Sequence, residues 1–410
     1  MKIVFFTDFY TPSLNGVTAA IDLFANALRD RGHRVYIVAP GSDVPVHDHP
    51  DVIRLPSIPS VWHKGLRDGI LTPKYGRIIK ELNADIYHFH TNGQTGLAGM
   101  RLMFEGNIPS VFSYHTDYEE YAKVYRGMWA GILTASLIGP LLVKQPKAWP
   151  ETLQGVRPKR SFEQWNQTMV QNLIRASVDH FDEIIVPSAK MQDKLISYGV
   201  TRPINILPTG MNPHEFPRNG TSKQRKDDKT TTILYVGRVA KEKNMNVLLK
   251  AFSLAYKQDS SLRLCVVGPG PYLPHMRSRV RELGISRAVV TTGGLPRKEA
   301  LERYNYADIF AFPSMTDTQA LVLNEAAYMR VPLVYSDPDI SLVAEDTTSG
   351  ILAPPKPEAF SKALLKLAHN PSLRKKMGDA AHNKASEFTI DRQAAKLEEI
   401  YTRTLKKYDK

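Results

Sequence analysis

The chain has 410 residues, 42% hydrophobic and 23% charged, which is too long for a single hydrophobic core and too apolar for a disordered chain. Its 54 Lys and Arg outweigh 41 Asp and Glu, a formal net charge of +13 that suits phosphate-bearing substrates or an anionic membrane surface. Zinc-finger spacings, basic-region heptads and RRM-type aromatic motifs do not occur, which argues against nucleic acid.

Met1–Lys2 leads straight into Ile3-Val4-Phe5-Phe6 without an apolar leader, and the one cysteine, Cys265, cannot form an intrachain disulfide. Both features lead us to expect a cytoplasmic protein. Ile3–Phe6 reads as a strand, Thr11–Gly16 as a loop, and Val17, Ile21, Phe24 and Leu28 as one face of a helix stopped by Gly32. Apolar runs then recur at Val35–Val38, Ile86–Phe89, Ser110–Ser113 and Ile184–Val186. Such unbroken runs suit a parallel sheet covered on both faces. Between them, Gly127–Val143 carries no charge and lies between Arg126 and Lys144. It is shorter than the roughly 20 residues of a spanning helix, and Pro140 interrupts it. It reads either as a helix buried in the first domain or as an element that touches lipid.

The polar stretch Pro217–Thr230 reads as a linker. The alternation then restarts with Thr232–Val236 and continues through Leu262–Val267, Val289–Thr292, Ile309–Phe312 and Leu333–Tyr335. The expected fold is therefore α/β, with two doubly wound Rossmann-like domains. The first covers residues 1–216, the linker 217–230 and the second domain 231–388. The closing segment, residues 389–410, holds one amphipathic helix over Asp391–Tyr408.

Three segments carry candidate chemistry. In Gly237–Asn244, Arg238, Lys241 and Lys243 sit where a strand passes into a helix, a favoured place for anions; the plain alternative is a charged loop. In Ser314–Glu325, Asp317 and Glu325 lie eight residues apart across a loop-to-helix turn. Their carboxylates could accept the paired hydroxyls of a sugar, or Asp317 could be a helix cap and Glu325 a solvated helix residue. The third is Tyr114-His115-Thr116-Asp117-Tyr118-Glu119-Glu120-Tyr121, at the end of a strand. No dinucleotide fingerprint or Walker A motif occurs. His88 and His90 share a strand face without a third ligand, and Asp337-Pro338-Asp339 reads as a solvated turn, so no metal site or cofactor is expected.

Together with Thr7–Pro12, Asn15-Gly16-Val17, Leu207–Asn212, Gly268–Tyr272 and Gly350–Pro355, these segments resemble the family 4 retaining glycosyltransferases of the GT-B fold. The resemblance implies two domains facing a central cleft, with the last helix crossing back to the first. It implies that Arg238 and Lys243 bind the diphosphate of a nucleotide-sugar donor, with Gly16 letting the backbone approach it. Glu325 would hold the ribose, and Gln319 and Leu321 would lie on the same donor-binding loop. Asp317 would contact the transferred sugar and His115 would assist the reaction beside it. This chain departs from the pattern at Asp317, one methylene shorter than the usual glutamate, and at Ala320, Arg330 and Pro338-Asp339, where small residues or glycines are customary.

Within the family, residues 115–121 and Asp317-Thr318-Gln319 look most like bacterial 1,2-diacylglycerol 3-glucosyltransferases. That likeness implies UDP-glucose as donor and a lipid acceptor, with Tyr118 and Glu119 on the acceptor side. The basic run Lys144, Lys147, Arg157, Lys159 and Arg160 fits an anionic membrane surface, at the inner face of the cell membrane. The alternatives are a same-fold transferase using a polyprenyl-linked or polysaccharide acceptor, a sugar-nucleotide epimerase, and a non-catalytic nucleotide-sugar-binding protein.

Overall fold

A computed structural model describes residues 1–13, 15–60, 66–124, 128–143, 161–216 and 230–408. The chain divides into two compact units: Met1–Thr209 with Ile390–Lys410, and Gly210–Thr389.

The first unit runs β1 (Lys2–Phe6), α1 (Gly16–Asp30), β2 (Arg34–Pro40), β3 (Val52–Leu55), β4 (Ser57–Pro59), β5 (Arg67–Gly69), α2 (Pro73–Glu81), β6 (Ile86–Phe89), α3 (Gln94–Gly106) and β7 (Ser110–Ser113). It continues with α4 (Tyr118–Val124), α5 (Met128–Leu142), α6 (Phe162–Val178), β8 (Glu183–Val186), α7 (Ala189–Ser197) and β9 (Ile204–Ile206). Among the described residues one parallel sheet has the order β3-β2-β1-β6-β7-β8-β9, and β4 pairs with β5 in a separate antiparallel ribbon. Strands β1, β6 and β7 present Ile3–Phe6, Ile86–Phe89 and Ser110–Ser113 fully buried, as a sheet covered on both faces demands.

The second unit runs β10 (Thr231–Val236), α8 (Met245–Gln258), β11 (Leu262–Val267), α9 (Leu273–Glu282), β12 (Val289–Gly293), α10 (Arg297–Arg303), β13 (Ile309–Phe312), α11 (Leu321–Tyr328), β14 (Leu333–Tyr335), β15 (Gly350–Leu352), α12 (Pro357–Ala368) and α13 (Pro371–Ser386). Its parallel sheet has the order β12-β11-β10-β13-β14-β15. The last helix, α14 (Ile390–Leu405), returns to the first unit. There Ile390, Ala394, Leu397, Ile400 and Tyr401 enter the same apolar cluster as Ile21, Phe24 and Leu28 of α1. Arg31 pairs with Glu398, and the buried Glu183 of β8 accepts from Arg403 and Lys407.

Several sequence expectations shift. Residues Gly210–Phe216, assigned to the first domain, belong to the second unit. The Met211 amide bonds the Phe388 carbonyl, and Phe216 packs on Tyr328 with ring centroids 4.8 Å apart. Most of the expected linker lies outside the described residues. Helix α5 runs through Pro140 and is neither wholly buried nor wholly exposed. Ser136 is buried, while Leu137, Ile138, Leu141 and Leu142 are exposed. Among the described residues no helix is long and apolar enough to cross a membrane.

Candidate active site

In an open parallel sheet, ligands settle where the strand order reverses and the loops on either side part. In the second unit that point lies between β10 and β13, and both basic and acidic candidate segments follow those two strands. After β10 the backbone swings through Gly237 at φ +147°. Facing it, glycine is obligatory at 268, because a Cβ there would come within 1.9 Å of the Gly237 carbonyl oxygen. Val239 bonds the Pro269 carbonyl at 2.8 Å, so the Gly268–Tyr272 turn buttresses the basic loop. A short 3-10 turn, Lys241–Lys243, ends at Asn244 in the left-handed region, and α8 begins.

Three contacts join this loop to the segment after β13. Asn244 donates to the Pro313 carbonyl at 2.9 Å, Thr316 to the Glu242 carbonyl at 3.4 Å, and Lys243 to Asp317 at 2.5 Å. Two segments read separately in the sequence therefore form one site. Asp317 also accepts from Ser314 at 2.5 Å. The cap residue of α11 is Ala320, which has no side-chain acceptor for the first-turn amides. Asp317 is thus no helix cap. Arg238 pairs with Glu242, whose own side chain is buried, and the guanidinium is 41% exposed. Gln319 and Leu321 bracket Ala320 at the start of α11, an arrangement that directs backbone N–H groups and the positive helix end outward.

Glu325, far from being a solvated helix residue, is buried on α11. Tyr304 donates to it at 2.7 Å and Arg297 pairs with it while also reaching Glu215 at 3.1 Å. Burial works against the Arg297 charge, yet Glu325 and Glu215 hold its guanidinium above the ordinary range. Sequence reasoning missed Arg297, Tyr304 and Ser314. Ser314 was within reach as a neighbour of Asp317, but Arg297 and Tyr304 come from another segment. Arg330 adopts φ +58° and pairs with Asp379 at 2.8 Å, which accounts for a glycine being customary there. Asp337 is buried rather than solvated and accepts the Asp339 amide at 3.1 Å.

The first unit reverses strand order between β1 and β6. Asp8, past the end of β1, accepts from Thr91 at 2.5 Å and from the Gly93 and Thr95 amides at 2.7 Å each. It thereby fastens the two switch-point loops together and caps α3. Gly16 opens α1 behind the Asn15 cap, and a Cβ there would meet no atom within 4 Å. Packing therefore does not demand glycine at that position.

His115 follows β7, the neighbour of β6. Its Nε2 lies 2.9 Å from His90 Nδ1. His88 Nδ1 meets the Tyr401 hydroxyl at 2.6 Å and its Nε2 meets Ser113 at 2.7 Å. Burial holds His88 and His90 well below the usual 6.5 and pushes His115 down to about 4. The three rings are therefore neutral at physiological pH.

Of the other candidates, Tyr118 donates to Asn92 at 3.0 Å. Glu119 is buried and accepts from Gln167 at 2.6 Å and Tyr198 at 2.5 Å, with Lys194 at 3.1 Å. That network ties α4 to α6 and α7, which gives Glu119 a place inside the domain instead of on an acceptor-facing surface. Lys144, Lys147, Arg157, Lys159 and Arg160 lie outside the described residues. Among the described residues no group of three or more His, Cys, Asp or Glu is placed to hold a metal ion.

Two doubly wound units, with cations and carboxylates gathered at the switch point of the second, are the layout of a GT-B glycosyltransferase. Residues 14–215 match the Glycosyltransferase Family 4 model and residues 219–384 the Glycosyl transferases group 1 model. The chain belongs to the family 4 glycosyltransferases and is an enzyme of that class. It is 28% identical over 365 residues to the alpha-monoglucosyldiacylglycerol synthase of Streptococcus pneumoniae strain R6, covering 86% of this chain and 75% of that protein. It is 26% identical to the alpha-monoglucosyldiacylglycerol synthase of Acholeplasma laidlawii, covering 100% of this chain and 99% of that one. Among solved structures, Anabaena HepE in complex with UDP and glucose superposes with a TM-score of 0.69 over 98% of this chain and 100% of that one, at 16% identity.

Proposed function

We propose that the enzyme transfers glucose from UDP-glucose to the free hydroxyl of diacylglycerol, with retention, giving an α-glucosyl lipid. The observation that carries this reading is the joined site of Arg238, Lys243, Asp317 and the start of α11 at the second unit's switch point. The two relatives named for monoglucosyldiacylglycerol synthesis and the UDP and glucose held by HepE support the donor and acceptor.

In this reading the diphosphate sits against Arg238, Lys243 and the α11 N-terminus, where positive charge meets the negative charge that grows as the sugar bond breaks. Lys243, already bonded to Asp317, couples the phosphate end of the donor to the sugar end. Glu325, held by Tyr304 and Arg297, takes the ribose, and Gly16 lets the α1 N-terminus approach the phosphate. His115, neutral, stands beside the sugar. The C1–phosphate bond breaks while the acceptor oxygen bonds C1 on the same face, and the departing diphosphate takes the acceptor's proton. No protein nucleophile is required, and the protein's part is positioning and charge. With those cations present the reaction proceeds without a metal, so activity should survive EDTA.

The acceptor approaches from a membrane surface that the protein touches peripherally. The exposed apolar edge of α5 and the basic run at 144–160 supply the contact. Incubating the enzyme with UDP-glucose and either a membrane lipid extract or soluble sugars tests this. Glucosylated diacylglycerol should form and soluble sugars should stay unmodified; glucosylation of soluble sugars or polyprenyl lipids alone would overturn it.

A further inference from the structure

We propose that His90 is a positioning residue for His115: it donates its Nδ1 proton to His115 Nε2 and so keeps the single proton of His115 on Nδ1. The inference rests on the proposed place of His115 beside the transferred sugar, and it adds which nitrogen acts as donor there.

The geometry is that of a directed hydrogen bond. The two imidazoles are 5.2 Å apart between centroids and only 10° from parallel, with Nδ1 and Nε2 2.9 Å apart. Rings in face-to-face contact sit closer than that. At this separation they meet edge to edge in nearly one plane, the lone pair of one nitrogen facing the N–H of the other. His90 has little freedom to turn. It is 2% exposed, its backbone amide bonds the Phe6 carbonyl at 2.9 Å, and its ring packs against those of His88 at 4.2 Å and Phe5 at 4.6 Å.

The direction of the bond follows from the other nitrogen. His90 Nε2 is buried and meets no hydrogen-bond partner among the described residues. A buried N–H without an acceptor is rarer in folded proteins than an under-used acceptor. The neutral His90 ring therefore leaves Nε2 bare and carries its proton on Nδ1, where His115 accepts it. A neutral imidazole has one proton, so His115 holds its own on Nδ1. The exchange fixes a tautomer, as the second-layer partner of a working histidine commonly does.

Selective ¹⁵N labelling of histidine in the full chain, with long-range ¹H–¹⁵N correlation near neutral pH, reads the tautomers directly. His90 and His115 should both carry the proton on Nδ1; a proton on Nε2 of either ring overturns the inference. Kinetics supply a second reading. His90→Leu should lower kcat about a hundredfold, the scale of a misplaced reacting group, with UDP affinity unchanged. His90→Asn puts an amide donor near the Nδ1 position and should recover about tenfold of that loss. His90→Gln reaches toward the unused Nε2 position and should recover none. Equal behaviour of Asn and Gln overturns tautomer control. His115→Ala separates the two ideas: at full kcat it overturns the role of His115 itself. An impaired His115→Ala beside an unimpaired His90→Leu overturns only the role of His90. Should His90→Leu fail to fold, the tautomers of the unmodified protein decide.

Discussion

Arg238 and Lys243 reach the proposed diphosphate site by different means. Arg238 is steered by a buried partner, Glu242, and Lys243 is shared with Asp317. Arg238→Ala or Lys243→Ala should each lower kcat on the order of a hundredfold, as the loss of one transition-state charge partner does, measured with saturating UDP-glucose. Asp317→Asn should damage kcat far more than UDP affinity, because the residue contacts sugar and not nucleotide in this reading. Gly16→Ala separates packing from ligand approach. An added methyl meets no protein atom within 4 Å and alanine favours helix, so the unfolding temperature should hold or rise. Donor affinity should fall about tenfold, equivalent to a clash of roughly 1.4 kcal/mol; unchanged donor titrations would remove Gly16 from the site. Arg238 was legible with its partner Glu242 four residues on and Asp317 in the segment it shares with Ser314, while the bond from Lys243 to Asp317 spans 74 residues and was not. Arg297 and Tyr304 were not, because their contact with Glu325 depends on how α10 and α11 pack after folding. His90 was visible as one of a pair on β6, yet its bond to His115 depends on the order of β6 and β7 in the sheet.

At the scale of elements, two polar anchors decide where helices dock. Asp8 gives α3 its cap and joins the loops after β1 and β6, so Asp8→Ala leaves the amide of the buried Thr95 without its acceptor and removes the bond from the buried Thr91, and should cost about 3 kcal/mol. Urea unfolding measures this as a lower midpoint at constant slope. Glu183 secures α14 through Arg403 and Lys407 and also accepts from Asn205 on the neighbouring β9. Both cations are about half exposed, so Glu183→Gln should cost less, about 2 kcal/mol. Strands β1, β6, β7 and β13 were readable because burial on both faces leaves continuous runs. Strands β9 and β15, three residues each, escaped notice since Ile204-Asn205-Ile206 and Gly350-Ile351-Leu352 are too short to show a period. The Gly210–Phe216 segment was misassigned because the contacts that hold it, Met211 with Phe388 and Phe216 with Tyr328, span more than a hundred residues of sequence.

For the molecule as a whole, the neutral histidines make stability depend on pH in a definite direction. His115 is held at about 4 and His88 and His90 well below 6.5, whereas the unfolded chain takes up their protons near 6.5. The unfolded state then binds more protons below that value, so the histidine contribution to stability should be constant above about pH 7 and decline as pH falls from 6.5 towards 4. His88→Phe should flatten part of that decline. The net charge of +13 predicts vesicle binding that rises with anionic lipid and weakens with salt. Replacing Ile138 and Leu141 with Ser, or Lys144, Lys147, Arg157, Lys159 and Arg160 with Gln, should reduce co-sedimentation with anionic vesicles while UDP affinity stays unchanged.

The central claim, retaining transfer of glucose to diacylglycerol driven by the protein's own cations, meets its most direct test in the product itself. The enzyme is incubated with UDP-[¹³C]glucose and diacylglycerol in anionic vesicles in the presence of EDTA. Released UDP is counted against glucolipid formed, and the anomeric ¹H–¹³C coupling of that lipid is recorded. The account predicts one UDP per glucolipid and an α-linked glucose. A β-linked product, UDP released without lipid product, or no turnover until a divalent metal is restored would contradict it.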